Sequence, residues 1–158
     1  MPFPAPSSHN GPPRESLTGC IDLHMHSRCS DGALDPEYLV EWAAHLGLKA
    51  IALTDHDTTK GVDRAQKRGR ELGVEVIPAT EISVAFSGGT FHLLAYYVDH
   101  HNEAFNKKMT AVAQSRVDRN VKIVAALEAL GMEVTPDELL KEAGEAVVGR
   151  PHIAKILM

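Results

Sequence analysis

The sequence has little of three features that would point to particular classes of protein. It contains only two cysteines, Cys20 and Cys29, which are too few for a disulfide framework and fit a reducing cytoplasm. It has no apolar run near the roughly 18 residues that a membrane span needs. It also has no basic cluster, and its formal net charge is -5. These absences argue against a disulfide-rich, exported or membrane protein, and against binding of long duplex DNA by broad phosphate neutralisation.

Composition and periodicity divide the chain into three parts. Residues 1–18 hold five of the nine prolines and predict a disordered extension. Residues 19–101 alternate short apolar runs with segments of helical period, and residues 102–158 are helical in pattern without a further strand. The 158 residues suffice for one α/β domain. The alternation predicts parallel strands covered by helices, as a doubly wound sheet or a barrel, although four strands cannot close a barrel.

Four strands and five helices are predicted. The strands are expected at residues 20–24, 49–53, 74–77 and 90–98. The first helix is capped by Asp35, has Pro36 at its first position and ends at Gly47. Its predicted buried stripe is Leu39, Val40, Trp42, Ala43 and Leu46. Further helices are expected at residues 61–72 and 103–130, and from residues 136 and 151 onward.

Two of the nine histidines project together from the end of the first strand. Residues two apart in a strand point the same way, so His24 and His26 could chelate a metal. Asp31, followed by Gly32 for a tight turn, could fold back over them. This mixture of imidazole and carboxylate suits zinc, manganese or iron better than calcium. Taken alone, the His-x-His pair is equally compatible with two surface histidines that bind no metal.

The other predicted strands also deliver side chains of the ligand type. The second strand runs into Asp55, His56 and Asp57, the third leads to Glu81, and the fourth carries His92. Sites in parallel sheets and barrels form at the carboxyl ends of strands, so these groups are expected to meet, with His92 included if its strand is antiparallel. Alone, His92 would fit a core histidine bonded to a backbone carbonyl. Divalent metals would convert the repulsion among these carboxylates into coordination.

These motifs resemble those of the PHP (polymerase and histidinol phosphatase) family, in its stand-alone phosphoesterase branch. The resemblance is carried by four ordered motifs, "DLHMHSRCSDG", "LTDHDT", "EIS" and "FHLLAYYVD". It extends to the end of the chain, because "QSRVDRNVKIV" and "GRPHIAKIL" resemble the helical insertion of this branch. The resemblance implies a distorted seven-stranded (β/α) barrel, of which residues 19–101 are the amino-terminal part and residues 102–158 the helical insertion.

The resemblance also implies two to three divalent ions, as manganese, zinc or iron. The implied ligands are His24, His26, Asp31, His56, Glu81 and His92. The first metal would be held by the two histidines of the first strand, and Glu81 would bridge it to a second metal that also takes His92. The third would be held by Asp31 and His56. The resemblance also implies that Asp55 and Asp57 lie behind these ligands.

The sequence departs from the family pattern at its end and at one internal position. The later motifs of the family, Ala-His-Pro and Ser-Asp-x-His, supply three further ligands and do not occur here. We therefore expect the chain to be an amino-terminal fragment, or to have its other half supplied elsewhere. Ala79 stands where a glycine is usual before the Glu, a change that costs little unless the backbone there needs a positive φ.

Substrate contacts are expected from the helical region. The candidates are Arg116, Arg119, Asn120, Arg150 and His152. The first three lie at i, i+3 and i+4, on a helix face that could equally be solvated. The last two flank a proline at a helix start, where free backbone N–H groups favour phosphate. Three histidines without a partner pattern are left outside the predicted site, namely His45, His100 and His101.

The activity implied by the resemblance is hydrolysis of phosphate esters of nucleoside monophosphates, 3′,5′-bisphosphates or short 5′-phosphorylated RNA. The nucleophile would be a hydroxide formed from water that bridges two metals, so no side chain needs to attack phosphorus. Two alternatives stay open. One is an amidohydrolase-like enzyme, which usually adds a metal-bridging lysine on a middle strand. The other is a non-catalytic metal-binding or protein-interaction module.

Overall fold

The structure is a computed structural model that describes residues 18–87, 89–144 and 146–158. The predicted disordered extension therefore lies outside the described residues, apart from Thr18. The elements follow in the order β1 (Ile21–Met25), α1 (Pro36–Leu46), β2 (Ala50–Leu53), α2 (Val62–Leu72), β3 (Glu75–Phe86), β4 (Gly89–Tyr96), α3 (Glu103–Ala129), α4 (Pro136–Ala143) and α5 (Arg150–Leu157). Within these described ranges, the five helices and four strands match the predicted number and order.

The four strands form one curled sheet in the order β1-β2-β3-β4. β1 pairs with β2 and β2 with β3 in parallel, whereas β3 and β4 are antiparallel. The two parallel pairs are connected through α1 and α2, as the short crossovers of an α/β fold require. The sequence prediction of an α/β fold with an incomplete barrel is confirmed. The carboxyl ends of β1 and β2 lie at one edge of this sheet, beside the middle of β3.

β3 is much longer than predicted, because it does not end at residue 77 but continues to Phe86. Its first part pairs with β2, up to Leu53 opposite Pro78, and its second part pairs with β4, from Ala79 opposite Tyr96. Proline usually ends a strand because it has no N–H to donate. Pro78 instead lies where β3 changes partners, and its carbonyl accepts a hydrogen bond from the Val98 N–H at 3.2 Å. The proline therefore marks an exchange of neighbours within one strand.

The main core lies between the sheet and the first two helices. It is formed by Leu39, Val40, Ala43, Ile51, Leu53, Ala65, Val74 and Val76. α1 begins after Asp35 with Pro36 at its first turn and ends at Gly47 in the left-handed region, as predicted, although the Asp35 side chain makes no capping hydrogen bond. The prediction that Trp42 is buried is wrong, because it is 38% exposed. The small Ala43 occupies the contact with the sheet, and the Trp42 ring stacks on His45 at the surface.

The three carboxyl-terminal helices pack around a smaller core of their own. It is centred on Val134, Leu139 and Ile153, with the last turns of α3 packed against it. The Asn102 side chain accepts a hydrogen bond from the Phe105 N–H at the start of α3. Among the helices of the described residues, none combines the length and apolar character needed to cross a membrane.

Candidate metal centre

Four imidazoles surround the carboxylate of Glu81. Nε2 of His24 lies 2.8 Å and Nε2 of His26 3.1 Å from Glu81 Oε2. Nδ1 of His92 lies 2.7 Å from the other carboxylate oxygen. Nδ1 of His56 is farther, 3.8 Å from Oε2. Side chains that are up to 68 positions apart in the sequence, from His24 to His92, therefore meet at one carboxylate.

The sheet explains how these side chains meet. His24 lies in β1 and His26 directly after it, while His56 follows β2 and forms a parallel bridge with Glu81. In the antiparallel ladder of β3 and β4, His92 is opposite Ser83, two residues along the same strand face from Glu81. The antiparallel entry of β4, which the sequence argument required, thus places His92 beside Glu81.

Asp31 is the remaining predicted ligand, and it lies in the loop after β1. Its Oδ1 lies 3.5 Å from His26 Nδ1, and its Oδ2 lies 3.6 Å from His56 Nε2. The six predicted ligands fall into three groups whose donor atoms lie within 4.8 Å of one another: His24, His26 and Glu81; His26, Asp31 and His56; and His56, Glu81 and His92. Each group is a mixture of imidazole nitrogen and carboxylate oxygen, as zinc and similar ions prefer.

The protonation of these groups favours a cation. Burial alone would raise the pKa of the Glu81 carboxyl, but hydrogen bonds from His24 and His92 hold it below its usual value. Burial, reinforced by the charge of Arg116, lowers the pKa of His56, so this imidazole is neutral at pH 7 and offers a lone pair. Nδ1 of His26 and Nδ1 of His56 are buried without a hydrogen-bond partner among the described residues. An unpaired buried polar atom is unfavourable, and a bound cation would satisfy these two. The donor set therefore fits divalent metal ions.

Asp55 fixes the loop that carries the ligands. Its carboxylate accepts hydrogen bonds from the Ser27 N–H at 2.7 Å, the Ser27 hydroxyl at 2.6 Å and the Ser30 hydroxyl at 2.7 Å. All three side chains are buried. These contacts hold the loop between His26 and Asp31 in place. They also occupy the carboxylate of Asp55, which was predicted to lie behind the metal ligands. The two serines were not foreseen, since nothing in the sequence distinguishes them from ordinary loop residues.

Asp57 links the sheet to the helical region. It has a positive φ of 56°, and its carboxylate accepts hydrogen bonds from the Ser83 N–H and hydroxyl, each at 2.7 Å. The guanidinium of Arg116, on α3, donates to the same carboxylate and to the Ser83 hydroxyl. Arg116 and Asp57 are both buried. A buried arginine that donates to two partners holds α3 in a fixed position against the metal-ligand strands.

The other residues predicted to bind substrate differ in burial and in hydrogen-bond partners. Asn120 is buried and donates to the Val148 carbonyl, while the guanidinium of Arg119 donates to Asn120. Arg150 is exposed, and burial lowers the pKa of His152, whose Nδ1 accepts from the Gly149 N–H. Of the helical residues, Arg116 is close enough to the candidate centre for its charge to help lower the pKa of His56. Their predicted contact with substrate stays a prediction.

Replacement of Arg116 by Lys separates a structural role from a substrate-binding role. A lysine has one point charge and cannot donate to Asp57 and Ser83 with the geometry of a guanidinium. We expect the free energy of unfolding to fall by about 2 kcal/mol, the value of a hydrogen bond to a charged group. Urea denaturation measures this loss, with Lys122→Arg on the exposed side of α3 as the matched control. Unchanged stability together with weaker substrate binding would identify Arg116 as a substrate ligand.

Comparison with known proteins identifies the family. The PHP domain family matches residues 22–148. A 5′-3′ exoribonuclease of Haemophilus influenzae is 37% identical over 90% of this chain and 52% of its own length. A 3′,5′-nucleoside bisphosphate phosphatase of Chromobacterium violaceum is 32% identical over 87% of this chain and 49% of its own length. The chain therefore spans about half the length of these relatives.

Two solved structures have the same fold. A protein of Bifidobacterium adolescentis, provisionally assigned as a metal-dependent phosphoesterase, has a TM-score of 0.78 and 35% identity over 88% of this chain and 49% of its own. A Chromobacterium violaceum protein described as an amidohydrolase, with bound sulfate and no metal, has a TM-score of 0.77 and 31% identity over 85% of this chain and 48% of its own. The family match covers most of the chain, and its ordered histidine and carboxylate motifs converge on one edge of the sheet. The chain belongs to the PHP domain family.

Proposed function

We propose that the protein is a metal-dependent phosphoesterase that hydrolyses phosphate esters of nucleotides or short 5′-phosphorylated RNA. The observation that carries the proposal is the convergence of four imidazoles and Asp31 around Glu81, where the carboxyl ends of β1 and β2 lie beside the middle of β3. Sites of hydrolytic metals in α/β folds are assembled at this position. The relatives support the same reaction class, since they are named as an exoribonuclease, a bisphosphate phosphatase and a phosphoribosyl cyclic phosphate diphosphodiesterase.

The six candidate ligands would hold two to three metal ions. His24, His26 and Glu81 would hold one, and Glu81 would share its carboxylate with a second near His92. Asp31 and His56 would hold a third. When bound, such ions lower the pKa of water and neutralise charge on phosphoryl oxygens. Manganese, zinc and iron all suit this donor set.

The remaining residues would position substrate and ligands. Asp55, through Ser27 and Ser30, keeps the loop between His26 and Asp31 in place without touching the reacting groups. The helices α3 and α5 would cover the site from the other side and keep the phosphate out of bulk water. Arg150 is exposed and free to turn towards a phosphate, so it is the arginine of this region that we assign to substrate. Phosphate contacts by arginine are strong because they are bidentate.

The amidohydrolase alternative has one specific observation for it, the description of a structural neighbour as an amidohydrolase. Against it, none of the four strands contains a lysine that could bridge two metals. In this chain the group between the imidazoles is the carboxylate of Glu81.

Metal analysis together with phosphate release tests the proposal. The protein should bind at least two equivalents of Mn²⁺ or Zn²⁺ and release phosphate from AMP or a 3′,5′-bisphosphate, or mononucleotides from a short 5′-phosphorylated RNA. Hydrolysis of N-acyl substrates without phosphate release would favour the amidohydrolase. Bound metal without hydrolysis of either class would instead support the non-catalytic module. The ranking of the three phosphate substrates would define the substrate class.

A further inference from the structure

A second group of ligand-type side chains lies away from Glu81 and shares no residue with the candidate centre. It consists of Asp63, in the first turn of α2, and His100 and His101, in the loop between β4 and α3. Nε2 of His100 lies 3.0 Å and Nε2 of His101 3.4 Å from the same carboxylate oxygen of Asp63. The donor atoms of the three residues all lie within 4.8 Å of one another. Both histidines were predicted to lie outside the site, because the loop after the fourth strand shows no partner pattern.

The loop that carries the two histidines is held by its own hydrogen bonds. The His100 N–H donates to the Val98 carbonyl at 3.0 Å, and the His100 carbonyl accepts from the Asn106 side chain at 2.9 Å. The His101 N–H donates to the Asp99 carboxylate at 3.3 Å. The two imidazole rings lie 4.1 Å apart, centre to centre. The backbone thus presents both rings towards α2 in a fixed arrangement, so binding would order little further chain.

The spacing of the three groups suits a small tetrahedral ion. A zinc ion lies about 2.0–2.1 Å from each ligand, so two ligand atoms of a tetrahedral site are about 3.3 Å apart. The distances from the Asp63 oxygen to the two Nε2 atoms, 3.0 and 3.4 Å, bracket that value. His100 is mostly enclosed, with 11% of its side chain exposed, whereas Asp63 and His101 are 66% and 71% exposed. An ion could therefore enter from solvent and contact all three.

We propose that Asp63, His100 and His101 form a second metal site that binds Zn²⁺ or a similar transition-metal ion, separate from the centre around Glu81. Two imidazoles and one carboxylate supply three ligands, and the exposed side leaves a fourth position open to water or another ligand. The ion would clamp the β4–α3 loop to the start of α2, because its ligands come from both. Since α3 also carries Arg116, the clamp would steady the helical region against the sheet. This proposal does not depend on the reaction at Glu81.

A cavity lies beside two of the three residues, Asp63 and His100. It has a volume of about 480 Å³ and is lined by Asp63 and His100 at one side and by Asp57 and Met109 at another. Lys60 also lines it, so an anionic group that enters the cavity would meet a cation as well as the metal. The hydrogen bond from His100 lowers the pKa of Asp63, which keeps its carboxylate ionised and ready to bind a cation at neutral pH.

Zinc stoichiometry in the tag-free protein tests this site. Wild type, His101→Ala and Asp63→Asn are equilibrated with Zn²⁺, freed of excess ion and analysed for bound zinc. Each variant is expected to bind one equivalent less than wild type. Asp118→Asn, an exposed carboxylate on α3, is the matched control and should bind as many as wild type. Because the comparison is a difference of one equivalent, it holds whatever number of ions the centre around Glu81 binds.

Cobalt spectroscopy supplies a second measurement. The difference between Co²⁺-loaded wild type and His101→Ala should show the visible absorption of a tetrahedral or five-coordinate cobalt ion. Circular dichroism of the apo proteins should be identical, since His101 is exposed and its removal leaves no cavity. Equal zinc content in wild type, His101→Ala and Asp63→Asn, with no cobalt difference spectrum, would overturn the proposal and leave the group as an ion pair only.

Discussion

Replacement of Glu81 by Gln is expected to remove at least one equivalent of bound metal and to lower phosphate ester hydrolysis about 1,000-fold. The Gln side chain has the shape of Glu but lacks the negative charge that four imidazoles surround. A neutral amide oxygen is a poorer metal ligand than a carboxylate, and the amide NH₂ group would face imidazole nitrogens that donate hydrogen bonds to Glu81 in the wild-type protein. Two groups of candidate ligands include Glu81, so a single substitution weakens both. Elemental analysis of the purified protein measures the metal, and phosphate release measures the activity.

The matched control for this substitution is Glu75→Gln. Glu75 begins the same strand but is exposed and belongs to none of the groups of candidate ligands. It should therefore retain the metal content and the rate of the wild-type protein. A Glu81→Gln protein with the full metal content would show that the centre is not organised around this carboxylate. Loss of metal without loss of hydrolysis would separate metal binding from catalysis and contradict the proposed function.

The sequence was sufficient to predict the number and order of the elements and the edge of the sheet where the polar groups meet. The ends of β1 and β2 could be recognised because each is marked by a local pattern, an apolar run that leads into histidine or carboxylate, as in His24 or His56. Parallel pairing then requires these ends to share one edge. The family resemblance adds the assignment of ligands to ions, which the pattern alone does not determine.

Features that depend on pairing between distant parts of the chain could not be predicted. The contact between Arg116 and Asp57 joins residues 59 positions apart, and that between His100 and Asp63 joins residues 37 apart. Neither contact can be recognised from the residues next to it in the sequence. The sequence around a helix arginine, for example, does not show whether its side chain is exposed or buried. The length of β3 was missed for a related reason. Pro78 carries the local signal of a strand end, whereas the antiparallel partner that continues the strand is supplied by β4.

These distant contacts share one structural consequence for the site. Asp55 supports the loop before Asp31, and Asp57 supports β3 through Ser83 and α3 through Arg116. Two aspartates that flank the candidate ligand His56 thus anchor the neighbouring elements on either side of it. The motif Asp-His-Asp therefore combines one candidate ligand with two anchors, which explains why a single turn after β2 carries three ionisable residues.

Replacement of Gly32 by Ala is expected to lower the free energy of unfolding by about 3 kcal/mol and to weaken metal binding at the same time. An added Cβ would lie 2.0 Å from the His26 carbonyl oxygen and 2.8 Å from the Ser27 nitrogen. Both contacts are with backbone, so no side chain can rotate away to relieve them. Gly32 also donates its N–H to the Ser27 carbonyl at 2.9 Å, which holds the two segments together. Relief of the clash must therefore move His26 or Asp31, and both are candidate metal ligands.

Gly73→Ala provides the comparison that isolates this clash. Gly73 has a φ of 71°, and no atom lies within 4 Å of the position of an added Cβ. Its replacement should cost only the strain of a left-handed residue, about 1 kcal/mol, with no change in metal content. Thermal unfolding should then show a melting temperature lower by about 10 °C for Gly32→Ala and by about 3 °C for Gly73→Ala. Equal losses in the two variants would contradict the close approach at Gly32, because Gly32 has no positive φ and only the clash would make its loss the larger one. A metal content unchanged in Gly32→Ala would show that the loop can shift without moving either ligand, since the clash and the candidate centre share the His26 backbone.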